Sequence, residues 1–103
     1  FVLQLVASFS RGQWLYLLME AAMGGDLYTL YAREDLFGSE VHARFFAACV
    51  LCAFEHLHER KIIYRDLKME NVVLDPRGYG KLCDFGTASF RFSGSRTMCG
   101  TPE

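Results

Sequence analysis

The residues able to do chemistry are concentrated in Tyr64-Arg65-Asp66-Leu67-Lys68-Met69-Glu70-Asn71 and, beyond a turn, Asp84-Phe85-Gly86. Asp66 and Lys68 alternate along an extended segment, so both project from one side of it. A carboxylate beside an ammonium can accept a hydroxyl proton while the cation neutralises charge on a transferring phosphate. Asn71 and Asp84 offer hard oxygen donors. Magnesium commonly takes one or two such protein ligands, with substrate phosphates completing its shell.

Bringing Asn71 to Asp84 requires a hairpin between them. Val72-Val73-Leu74 and Lys81-Leu82-Cys83 read as its strands, joined by the turn signal Asp75-Pro76-Arg77-Gly78. A long helix is predicted from Ser39, as N-cap, to about Glu59. Phe46, Val50, Ala53 and Leu57 form its apolar stripe, widened by Val41, Phe45 and Cys49, so the helix should be largely buried. Upstream, Val2–Ala7 and Trp14–Met19 flank Ser10-Arg11-Gly12-Gln13 as an antiparallel strand pair. Gly24-Gly25 then breaks the pattern, and Asp26 can cap a short helix through Tyr31. From Asp84 onward the chain reads as an irregular loop.

The 103 residues carry 11 Lys+Arg against 12 Asp+Glu and are 51% hydrophobic, or about 55% if Gly is counted in place of Tyr. The latter figure exceeds the usual ~45–50% and excludes a disordered segment. Near-neutral charge gives no support to a nucleic-acid or polybasic membrane partner. The longest apolar run, Phe45–Phe54, falls short of the ~20 residues that a membrane span needs. With no secretory signal, Cys49, Cys52, Cys83 and Cys99 read as free thiols of an intracellular, cytoplasmic protein. Cys49, Cys52 and His56 could share a helical face as metal ligands, but small buried cysteines on an apolar stripe explain the pattern better. The apolar first residues, the missing initiator Met and the unfinished last element lead us to expect an internal fragment.

The catalytic segment resembles the protein-kinase catalytic loop, His/Tyr-Arg-Asp-x-Lys-x-x-Asn, followed by Asp-Phe-Gly, and Gly100-Thr101-Pro102-Glu103 looks like the end of a kinase activation segment. Tyr64, the Leu15–Glu20 run and Gly24-Gly25-Asp26 are similar to the cyclic-nucleotide-dependent serine/threonine kinases, the cyclic-GMP-dependent ones above all. The resemblance covers essentially the whole chain. It implies an α+β, two-lobe kinase fold, present in part: N-lobe strands over 1–19, a hinge over 20–26, and a C-lobe portion over 27–103.

It also implies roles. Asp66 would accept the substrate hydroxyl's proton, Lys68 would neutralise the γ-phosphate of ATP, and Asn71 and Asp84 would hold Mg2+. Met19 would be the gatekeeper, backbone groups of Glu20 and Ala22 would bond the adenine, and Leu27 and Val73 would sandwich it. Asp26 and Glu70 would read basic residues before the phosphorylated Ser/Thr of a protein substrate, and Thr101 would contact Asp66 and Lys68. Thr97 would be the activating phosphosite, pairing with Arg65. Leu5, Tyr64 and Phe85 match stacked residues linking the lobes.

Three positions depart from the family pattern: Met69 replaces Pro, Thr87 replaces Phe, and Ser89 replaces a basic residue that helps bind the loop phosphate. The Gly-rich loop and the strand lysine of a whole kinase domain are not in this sequence, so these residues alone are expected to be inactive. A cyclic-nucleotide-binding regulatory domain would lie outside them. The alternative reading is a pseudokinase-type ATP-binding or scaffolding module.

Overall fold

A computed structural model describes residues 1–90. The elements, in order, are β1 (Leu5–Arg11), β2 (Trp14–Met19), α1 (Leu27–Glu34), α2 (Glu40–Glu59), β3 (Ile62–Ile63), a single 3₁₀ turn (Met69–Asn71), β4 (Val72–Leu74), β5 (Gly80–Leu82) and β6 (Ser89–Phe90). The strands form three antiparallel pairs, β1–β2, β3–β6 and β4–β5. The result is α+β, with a hairpin lobe leading into a helical one.

β1 and β2 pair from Leu5↔Met19 to Arg11↔Trp14 around the Gly12 turn. β1 starts later than expected because Val2 is engaged elsewhere. The first three residues run parallel to β5, where Leu3 N donates to Leu82 O (2.9 Å) and Leu82 N to Phe1 O (2.8 Å). This stitches the start of the hairpin lobe to the strand that leads to Asp84.

α1 begins where Asp26 caps it and runs on to Glu34, where Asp35 adopts left-handed backbone (φ 52°). α2 has the expected bounds, but Ser39 does not cap it through its side chain. Its Oγ instead bonds His42 Nδ1 at 2.6 Å. The helix is also less buried than expected. Phe46, Cys49, Ala53 and Leu57 recur at spacings of three and four and pack inward, while Val41 is 77% exposed and Phe45 and Leu51 also face outward. One face of α2 meets β3 and β5; away from it Val41 and Leu51 stay exposed, while Phe45 packs against Tyr79.

The core joins Leu27 and Tyr31 of α1, Phe46, Ala53 and Leu57 of α2, and Tyr64, Val72, Leu74 and Leu82. Strand alternation turns Val72 and Leu74 into this core and Val73 to the opposite face. The turn after β4 follows its sequence closely: Asp75 Oδ1 accepts from the N–H groups of Arg77 and Tyr79, each at 2.9 Å. β6 lies in the stretch expected to be loop and exists through pairing with β3, Ile62↔Phe90 and Ile63↔Ser89.

Candidate active site

The segment between β3 and β4 folds around Asn71, a polar side chain only 6% exposed. A buried amide must spend its hydrogen bonds on the protein. Asn71 Nδ2 donates to the backbone carbonyl of Asp66 at 3.0 Å and to Asp66 Oδ2 at 3.2 Å. Lys68 Nζ stands 3.9 Å from the same Oδ2. The 3₁₀ turn is closed by Asn71 N donating to Lys68 O (3.0 Å), and Asn71 O accepts from Cys83 N (3.0 Å). One asparagine therefore links the carboxylate, the loop lysine and the residue next to Asp84.

Asp84 has left-handed backbone (φ 57°), and its Oδ1 accepts from Gly86 N at 3.2 Å. Arg65 is also left-handed (φ 71°), with its Nε donating to Thr87 O at 2.6 Å. Thr87 Oγ1 returns a bond to Tyr64 O (3.4 Å), so one of the three residues that depart from the family pattern is part of this cross-link. Tyr64 is 2% exposed and its hydroxyl donates to Cys83 O. Burial, aided by the neighbouring Cys83, Asp84 and Asp66, pushes that hydroxyl well above the ordinary tyrosine range and keeps it a donor. The Tyr64 and Phe85 rings meet edge to face with centroids 5.2 Å apart, while Leu5 stands exposed in β1. Burial likewise raises the Cys83 thiol, making it a poor nucleophile at neutral pH.

The 20–26 segment crosses from β2 to α1. Glu20 N donates to Gln4 O (2.9 Å), and no backbone bond from the described residues to the Glu20 carbonyl accompanies it. Among the described residues, neither that carbonyl nor the Ala22 N–H has a hydrogen-bond partner, so both are available to a ligand edge. Met19 is half-buried behind them. Gly24 N donates to Leu74 O (3.0 Å) and Leu74 N to Gly25 O (2.8 Å), so the segment's far end pairs with β4.

Val73 lies on the side of β4 away from the core and is partly buried. Leu27, expected to face the ligand with it, is instead nearly buried in the core, in one cluster with Val72 and Leu74.

Asp26 is spent as the α1 cap: Oδ2 accepts from Thr29 N (3.0 Å) and Oδ1 from Thr29 Oγ1 (2.7 Å). These bonds, the hydroxyl's first, hold its carboxyl below the ordinary range and keep it charged. Glu70 is exposed on the 3₁₀ turn. Thr97 and Thr101 lie outside the described residues. Cys49 is buried and Cys52 exposed, and both are free with Cys83. No three His, Cys, Asp or Glu side chains among the described residues gather as a metal site. Asn71 and Asp84, a pair of hard oxygen donors on adjoining segments, have the chemistry of a magnesium site that relies on phosphate oxygens for its remaining ligands.

One contact had no counterpart in the sequence reading. The Glu20 side chain accepts from Lys81 Nζ at 2.8 Å and from Gln4 N at 3.0 Å. The Lys81 bond, foremost, holds the Glu20 carboxyl below its ordinary value. Nothing in the local pattern could have matched two residues so far apart.

Comparison with known proteins points the same way. Residues 1–103 match the protein kinase domain family. The chain is 47% identical over 105 residues to the cGMP-dependent protein kinase, isozyme 2 forms cD5/T2, of Drosophila melanogaster, covering all of this chain and 11% of that protein. It is 45% identical over 105 residues to human cGMP-dependent protein kinase 2, covering the whole chain and 14% of the relative. It is also 45% identical over 106 residues to the serine/threonine-protein kinase sgk-1 of Caenorhabditis elegans, again over the whole chain, here 23% of the relative. The chain thus spans less than a quarter of the length of each.

Proposed function

The chain belongs to the protein kinase domain family, and from that premise we propose that it forms the central catalytic segment of a serine/threonine kinase acting on basic protein sequences. The observation that carries this reading is the Asn71 bridge, which holds Asp66, Lys68 and the approach to Asp84 as one unit.

In the reaction, Asp66 Oδ accepts the proton of a Ser or Thr hydroxyl as that oxygen bonds the γ-phosphorus of ATP. The bond from phosphorus to the β–γ bridging oxygen breaks, and ADP leaves. Lys68 stands beside the carboxylate, where it offsets charge on the moving phosphoryl group. Mg2+, held by Asn71 and Asp84, would supply charge neutralisation on the phosphate oxygens. The Glu20 carbonyl and Ala22 N–H suit the adenine edge, with Met19 behind and Val73 on the wall. Thr97, once phosphorylated, would pair with Arg65, and Thr101 would contact Asp66 and Lys68. Regulation by a cyclic nucleotide, as the names of the Drosophila and human cGMP-dependent kinases state for those proteins, would come from sequence outside these residues.

Asp26→Asn tests the basic-substrate reading cleanly, because Asn caps helices as well as Asp while removing the charge. In the full-length protein, Asp26→Asn combined with Glu70→Gln is expected to raise KM for an Arg-rich peptide about tenfold with kcat unchanged. An unchanged KM would refute the assignment of both carboxylates.

Residues 1–103 in isolation are expected to turn over no ATP. In keeping with that, β1 and β2 present Val6, Phe9, Trp14, Leu15, Leu17 and Leu18 outward, Trp14 at 72% exposure, as part of a larger sheet would. Measurable phosphorylation of a basic peptide by this monomeric segment would contradict the expectation.

A further inference from the structure

We infer that Glu20 and Lys81 form an electrostatic clasp that fixes the β1–β2 lobe and the hinge against the strand leading to Asp84, making Lys81 a positioning residue for nucleotide binding. The inference rests on the hinge assignment above and names a device that the assignment does not contain.

The geometry joins three segments at one carboxylate. Lys81 Nζ lies 2.8 Å from Glu20 Oε1, and Gln4 N donates to the same oxygen at 3.0 Å. Glu20 N returns a bond to Gln4 O at 2.9 Å, so Glu20 is locked to the foot of β1 by both its backbone and its side chain. Lys81 pairs with Val73 across β4–β5, three residues before Asp84. The Lys81 and Glu20 side chains are 21% and 29% exposed, shielded enough for the pair to hold one arrangement. At its other end the hinge is pinned by Gly24 and Gly25 to Leu74. The clasp therefore closes a frame around Ala21, Ala22 and Met23, the stretch that meets the adenine edge. Opening it frees the hinge to rotate, so fewer molecules are competent to bind and apparent affinity falls by the same factor.

The clasp also lines a cavity of about 260 Å³ together with Ala21, Ala22, Leu3, Asp75 and Arg77. Dissolved ions can reach the pair from there, and salt weakens partly exposed pairs.

The test uses the full-length protein with Lys81→Met, Lys81→Arg, Glu20→Gln and the exchanged pair Glu20→Lys/Lys81→Glu. Binding of Mg-ADP is measured by calorimetry, and hydrogen exchange is followed at the Glu20 and Gly24 amides. Lys81→Met and Glu20→Gln should each weaken ADP about threefold to fivefold and speed exchange at both amides. KM for a peptide substrate should move less than about twofold, since the device acts on the hinge. Lys81→Arg should keep wild-type values, and the exchanged pair should recover at least half the loss. Unchanged ADP affinity and exchange in Lys81→Met, or an exchanged pair as weak as the singles, would overturn the clasp. A wild-type protein that binds ADP but transfers no phosphate would sink the kinase reading instead, and the binding and exchange data would still judge the clasp.

Discussion

Asp66→Asn in the full-length protein is expected to lower kcat about 10²–10⁴-fold, the contribution of a positioned general base, with ATP affinity within about twofold of wild type. The asparagine keeps the size and planarity of the side chain. Its Oδ1 can still accept from Asn71 Nδ2, and the backbone carbonyl of residue 66, which takes the 3.0 Å bond, is untouched. What disappears is the negative charge, 3.9 Å from Lys68 Nζ in the wild type, and with it the proton acceptor. Folding should change little, so a thermal melt belongs beside the kinetic measurement. Equal phosphate incorporation by wild type and variant would remove Asp66 from the mechanism.

Gly24→Ala should act on the architecture instead. A Cβ built at Gly24 would stand 2.6 Å from Leu74 Cβ and 3.1 Å from Leu74 O, closer than real side chains approach. The obstacle sits at the root of Leu74, so no flexible tip can swing aside. Either the hinge lifts off β4, losing the Gly24–Leu74 and Gly25–Leu74 bonds, or Leu74 is displaced from the core. Overpacking of this kind costs about 1–3 kcal/mol, which in a domain of kinase size is a drop of about 2–10 °C in Tm. A rise in KM for ATP should accompany it. Gly25→Ala is the control. Its site is open, so the methyl group meets nothing, and the cost is the left-handed backbone (φ +73°) alone, about 1–2 kcal/mol. Equal melting temperatures for Gly24→Ala and wild type would show that the close approach to Leu74 is not a constraint.

The parts of the fold visible in the sequence were those with local causes. Asp75-Pro76-Arg77-Gly78 makes its turn through bonds from Asp75 to residues two and four positions on, so the β4–β5 hairpin needed no tertiary information. Asp26 caps α1 through Thr29, three residues away. The α2 stripe was visible for the same reason, but how much of the helix is covered depends on what packs against it, and Val41 and Leu51 face outward. β6 has only two residues and exists because Ile62 and Ile63 lie beside it. The site divides in the same way. The order of Asp66, Lys68, Asn71 and Asp84 could be read along the chain, whereas the role of Asn71 as a bridge, the inward turn of Leu27 and the Glu20–Lys81 pair arise from distant segments meeting.

The left-handed backbone at Arg65 and Asp84 has an evolutionary consequence. Local preference at such angles favours glycine, asparagine or aspartate, and another side chain costs about 1 kcal/mol or more. Asp84 offsets that cost through the local bond from Gly86 N to its Oδ1, so the guanidinium at Arg65 carries most of it, about 1 kcal/mol of folding free energy. A lineage that retains both residues tolerates fewer further destabilising substitutions before it unfolds, so its neutral drift must pass through compensating changes elsewhere. Release from selection for turnover would open position 65 to glycine first.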